Sequence, residues 1–266
     1  MTKVPVFGAI VHGCRAALSH GLVYAAYVGA WTALTVLAGV PVSLLVGDSA
    51  ELYVALSYLP AVAMLVGYTA IFIAVNRAIL RHEPPTWSNA LRLGRRELRV
   101  FGLILLFLAI GYVELTVLWI LLQLMSEFYG TGAEVLFGEG VINGMIGTAV
   151  WGFLISVTLT PFFGLALPLA AVDAKPGMFR QALALGRGNR WRLAAIGFVP
   201  ALPFQIGVYA PSFIWADSTD VLDRTALLGL SAMIYLCGAV VRAAAFAWAF
   251  RAIAEGRQES SYGVFD

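Results

Sequence analysis

Cysteine and histidine are scarce, at two and three in 266 residues. Cys14 stands ahead of the first long apolar run and Cys237 inside the last, which leaves no disulfide framework and no metal-ligand spacing. Both read as small apolar packing groups. His12, His20 and His82 are scattered, with no carboxylate or cysteine at ligand spacing, so no metal centre is nominated. There is no phosphate-binding glycine loop, no G-x-S-x-G elbow and no H-E-x-x-H helix. The sequence therefore offers no catalytic residue and no cofactor, and the chain reads as non-enzymatic. Charge is thin as well: 12% of residues are charged and the net charge is +2, where an ordinary soluble domain has about a quarter of its residues charged.

What is abundant is hydrocarbon. The chain is 61% hydrophobic with a mean hydropathy of +0.85, so lipid is the expected solvent. A crossing needs roughly 20 apolar residues, and six runs qualify: 21 to 46, 53 to 75, 101 to 125, 141 to 172, 193 to 216 and 226 to 250. The first is too long, and stands too far along the chain, for a cleaved secretory segment. Nothing between the runs is long enough for a separate globular domain, so residues 1 to 266 read as a single all-α integral membrane domain, a polytopic helical bundle.

Sorting the charges by inter-run segment orients the bundle, because topology follows Lys and Arg in short loops. The N-terminus, the loops 76 to 100 and 173 to 192 and the C-terminus together carry 15 of the 17 basic residues. The opposite side holds Asp48, Glu51, Glu127, Glu134, Glu139, Asp217, Asp220 and Asp223 against the single Arg224. Six crossings with both termini cytoplasmic, in a bacterial inner membrane, satisfy this segregation. Basic residues committed to a membrane rim argue against a nucleic-acid partner.

A phrase recurs. A shift of 92 residues superposes Pro84, Ala90, Leu91, Leu93, Gly94, Arg95 and Ile104 on Pro176, Ala182, Leu183, Leu185, Gly186, Arg187 and Ile196. A shift of 81 matches Ala9, Gly13, Arg15, Gly21 and Leu22 to Ala90, Gly94, Arg96, Gly102 and Leu103. Three pseudo-repeats follow, at about 1 to 80, 81 to 172 and 173 to 266, each an amphipathic interfacial helix leading into two crossings. In the second copy Arg92, Arg95, Arg96 and Arg99 share one helical face, while Ala90, Leu91, Gly94, Leu98 and Phe101 line another. Such a helix lies in the interface, with Ser88 or Asn89 as its cap. With Arg187, Arg190 and Arg192 of the third copy these arginines form a basic collar, able to meet anionic lipid head groups or a membrane or cytosolic protein partner.

The stretches "ALRLGRRELRVFGLILL" and "ALALGRGNRWRLAAIGF" resemble poorly characterised bacterial membrane families related to the membrane domain of glycerophosphodiester phosphodiesterases. The resemblance implies a six-helix all-α membrane domain that handles lipids or supports other proteins. It transfers no catalytic residue, since the phosphodiesterase domain has no counterpart in this chain.

Inside the bilayer, Glu114 and Arg242 stand out, because a charged side chain at mid-bilayer costs about 2.5 to 3.5 kcal/mol on insertion scales. Helical side chains lean toward their own N-terminus, so on antiparallel third and sixth crossings these two lean toward each other and are expected to pair. Pro161 and Pro168 in the fourth run, with Pro200, Pro203 and Gln205 in the fifth, fit broken helices that would open backbone groups to a substrate. Gly140, Asn143 and Gly144 suit close helix contact. A scaffold or accessory subunit is the leading expectation. A small-molecule or lipid transporter using the polar intramembrane site is the alternative, and an intramembrane enzyme the weaker one.

Overall fold

The structure is a computed structural model that describes residues 3 to 44, 50 to 86, 94 to 129, 141 to 172, 177 to 211 and 221 to 258. Among the described residues it contains helices and no strand. In chain order these are α1 (Val6–Leu18), α2 (Gly21–Leu44), α3 (Ala50–Arg81), α4 (Arg95–Tyr129), α5 (Val141–Thr158) and α6 (Thr160–Phe163). They are followed by α7 (Ala166–Ala171), α8 (Met178–Gly186), α9 (Arg190–Phe198), α10 (Leu202–Gly207) and α11 (Val221–Gln258). Among the described residues four helices, α2, α3, α4 and α11, are long and apolar enough to cross a membrane. The chain is a multi-pass, all-helical membrane protein.

Neither the fourth nor the fifth apolar run forms one continuous helix. The fourth divides into α5, α6 and α7, and Pro161 sits in the first turn of α6, where its missing N–H is tolerated. The fifth divides into α9 and α10, with Pro200 in the gap and Pro203 in the first turn of α10. Apolarity alone does not make a crossing helix when proline withdraws the amide donors that the ladder needs. The breaks adjoin: a Cβ on Gly197 of α9 would lie 3.1 Å from Thr160 Cγ2 of α6.

Packing centres on α11, which lies along α1, α2 and α3 on one side and α9 and α10 on the other. Its stretch Ala243 to Ala249 is almost wholly alanine and phenylalanine on the buried faces, and both core clusters draw on it. One cluster gathers Tyr27, Ile71, Phe72, Val75, Val100 and Leu236; the other gathers Val4, Leu165, Leu193, Ile196, Phe246 and Phe250. Small residues matter in such contacts because lipid is as apolar as leucine, so association rests on close van der Waals fit. Gly13 is the clearest case, since a Cβ there would fall 2.6 Å from the Ala244 carbonyl group. Large apolar side chains elsewhere point outward, among them Phe7, Leu18, Leu22 and Tyr112, as expected of a surface solvated by acyl chains.

Candidate functional site

The arginine-rich segments converge at one end of the bundle. Val4 N–H donates to Asn189 Oδ1 at 3.0 Å, joining the start of the chain to the entry of α9. His12 of α1 stacks on Trp248 near the end of α11, with ring centroids 5.2 Å apart. Arg81, the last residue of α3, donates to the carbonyl of Val172 just beyond α7. Arg95, Arg99, Arg187 and Arg190 are exposed around this end, while Arg96 and Arg192 are half-buried. Arg92 lies outside the described residues.

The second copy of the repeat departs from the expected geometry. Arg95, Arg96 and Arg99 stand on the opening turns of the crossing helix α4 itself, not on a separate interfacial helix. The start of that helix is set by Gly94, whose N–H donates to Glu97 Oε2 at 2.8 Å, a carboxylate three residues on that also complements the N-terminal dipole. Ser88 and Asn89, the expected caps, lie outside the described residues. In the other two copies α1 buries Ala9, Gly13 and Ala17 and exposes Phe7, Val11 and Leu18 beside His12 and Arg15, and α8 buries Ala182, Leu185 and Gly186.

Between α3 and α4 the chain folds a polar cleft of about 180 Å³. It begins where α3 ends: His82 adopts φ 55°, reversing the chain, and Pro84 and Pro85 then prevent a return to helix. That reversal brings Glu83 back onto Arg77 as an ion pair, with Arg81 Nη1 4.0 Å from the other carboxylate oxygen. Tyr27 of α2 closes one side by donating its hydroxyl to the Thr86 carbonyl. Arg96 and Glu97 come from the first turn of α4, and Ala70, Ile73 and Ala74, one turn and two turns before Arg77 on the same face of α3, form the apolar wall.

The expected ion pair of Glu114 with Arg242 is not formed. Glu114 Oε2 instead accepts a hydrogen bond from Thr158 Oγ1 at 2.9 Å, at the end of α5. The reason is the packing: α4 lies on α3, α5 and α7, whereas α11 lies chiefly on α1, α2, α3, α9 and α10, so the helices bearing Glu114 and Arg242 share no main face. Arg242 is half-buried on α11. Pro161, Pro168 and Pro200 are buried and Pro203 is exposed. Gln205 presses its amide against Gly152 of α5, leaving Oε1 buried and without a hydrogen-bond partner. Gly140 lies outside the described residues; Asn143 and Gly144 fall in the first turn of α5, and their side-chain environment is likewise outside what is described.

Sequence reasoning passed over Glu83, Glu97, Tyr27 and Asn189. Two signals were present for the first two: acidic residues on an otherwise basic side, and a glutamate three residues after a glycine at a helix start. Tyr27 and Asn189 act through contacts 59 and 185 residues away, which no local pattern encodes. No family model, no curated protein and no solved structure matches the chain.

Proposed function

We propose that the protein is a non-enzymatic scaffold or accessory subunit of a bacterial inner membrane, whose cytoplasmic arginine rim holds anionic lipid head groups or a partner protein. The observation that carries this reading is the convergence of Arg95, Arg99, Arg187 and Arg190, all exposed, at one end of the bundle. Each such arginine near an anionic surface contributes about 1 kcal/mol, falling off within a Debye length of ~10 Å at 0.1 M salt. Six crossings in three units, with both termini cytoplasmic, belong to the same proposal, the proline-broken segments serving as two of the crossings. The packing supports the three units: α1 of the first rests on α11 of the third, and α8 of the third rests on α6 and α7 of the second. The equivalent glycines serve those contacts, Gly13 against the Ala244 backbone and Gly186 with a Cβ position 3.1 Å from the Pro161 carbonyl oxygen. Six helices are also what the sequence resemblance implies.

The test replaces the four exposed arginines together by glutamine and measures the anionic lipid that co-purifies. Wild-type protein is expected to carry phosphatidylglycerol or cardiolipin above its bulk fraction, in a salt-sensitive manner. Enrichment in the quadruple variant equal to wild type would overturn the lipid arm, and a partner recovered by cross-linking from wild type but not the variant would carry the protein arm. A second reading, transport of a small molecule or lipid, rests on the adjoining breaks at Thr160 and Gly197 with the Glu114 to Thr158 bond nearby along α5. It expects proteoliposome flux that Glu114→Ala abolishes.

A further inference from the structure

The rim is arginine-rich, yet two carboxylates, Glu83 and Glu97, sit within it, and both line the cleft between α3 and α4. Their positions are built rather than incidental: Glu83 is brought there by the reversal at His82, and Glu97 is fixed by the Gly94 N–H. Opposite charges face the same space from Arg77 and Arg96. Arg77 and Glu83 already pair with each other, so a purely anionic or a purely cationic ligand that engaged one of them would leave the other without a counter-charge. A group carrying both charges a few bonds apart satisfies both. The volume of about 180 Å³ is a head-group volume, below the range of roughly 300 to 1,000 Å³ of pockets for drug-sized ligands. Beside the polar mouth the wall turns apolar at Ala70, Ile73 and Ala74, which belong to or pack against the helix core.

We propose that this cleft seats a phosphate ester bearing a primary ammonium group, the head group of phosphatidylethanolamine. The guanidiniums of Arg77 and Arg96 take the phosphate, and the carboxylates of Glu83 and Glu97 take the ammonium, whose three N–H groups need acceptors. The site goes beyond the collar, whose exposed arginines act on anionic lipid by charge alone. It is saturable and selects by shape and by hydrogen-bond donors.

The experiment offers detergent-purified full-length protein equal amounts of phosphatidylethanolamine, phosphatidylcholine and phosphatidylglycerol, and counts retained lipid by native mass spectrometry. One phosphatidylethanolamine should be retained in preference to the other two. Phosphatidylcholine differs in its ammonium, which has no N–H to donate, and a lost charge-assisted hydrogen bond predicts about ten-fold weaker retention. Glu97→Gln, which keeps an acceptor for Gly94, and Arg96→Gln should each reduce retention by a similar factor, while Arg187→Gln with Arg190→Gln leaves it unchanged. Equal retention of the three lipids by wild type, a comparison that needs no variant to fold, overturns the proposal, as does unchanged retention in Glu97→Gln. Soluble O-phosphoethanolamine separates the two sources of this chemistry. Competition only at large excess supports the lipid, and competition at equal concentration assigns the site to a soluble phosphoamine and overturns the membrane ligand. Loss of binding in the Arg187 and Arg190 variant would return the effect to the collar.

Discussion

Single residues at the arginine-rich end hold segments that are distant in sequence. Asn189 accepts the Val4 amide and is 4% exposed, so removing its side chain leaves a buried N–H without a partner, a loss of about 1 to 3 kcal/mol. Asn189→Ala is expected to lower the melting temperature and to speed proteolysis near the N-terminus; an unchanged melt and unchanged cleavage would mean that the amide finds another acceptor. Cys14 offers a pH test. Burial disfavours its thiolate and pushes the thiol above its ordinary value, so the stability that burial of the neutral thiol contributes is full below the ordinary value and is lost as pH rises from there through the raised one. Alkylation by iodoacetamide at pH 8 should run slower than for a free thiol and accelerate on the alkaline side. Equal rates at pH 8 would show the site to be open.

For helices, legibility followed period and punctuation. The buried faces of α1 and α8 are readable because their small residues recur at helical spacing, and the breaks in the fourth and fifth runs fall near Pro161, Pro168, Pro200 and Pro203. The face that each helix gives to a neighbour was not readable, which is why Glu114 was paired with Arg242 instead of Thr158. Two glycines test the helix contacts. At Gly13 an added methyl would meet the Ala244 backbone at 2.6 Å, whereas at Gly29 it would meet open space. Gly13→Ala should destabilise by about 1 to 3 kcal/mol, and Gly29→Ala should be neutral or stabilising by up to ~1 kcal/mol, since alanine is the better helix former. Thermal melts in one detergent give the comparison, and equal effects at both positions would mean that α1 does not rest closely on α11.

Across the whole molecule, the segregation of arginine and the convergence of loops at one end make a single statement about the membrane. Reporters fused to the two chain ends, one active only in the cytoplasm and one only outside it, should assign both ends to the cytoplasm. Opposite assignments would require an odd number of crossings and would overturn the six-crossing layout. Both ends on one side would mean that the two broken segments both cross or that neither does, since four and six are both even.

Composition settles the solvent, the helical class and the end at which the charge gathers, because burial of apolar groups in lipid and the rejection of unpaired cations act on residue type and order along the chain. Which side chains meet depends on the rotation and neighbours of each helix, and these arise only when all the helices compete for the same close contacts. Thus Glu83 and Glu97, unremarkable as letters, become the acidic half of a cleft once His82 turns the chain and Gly94 starts α4.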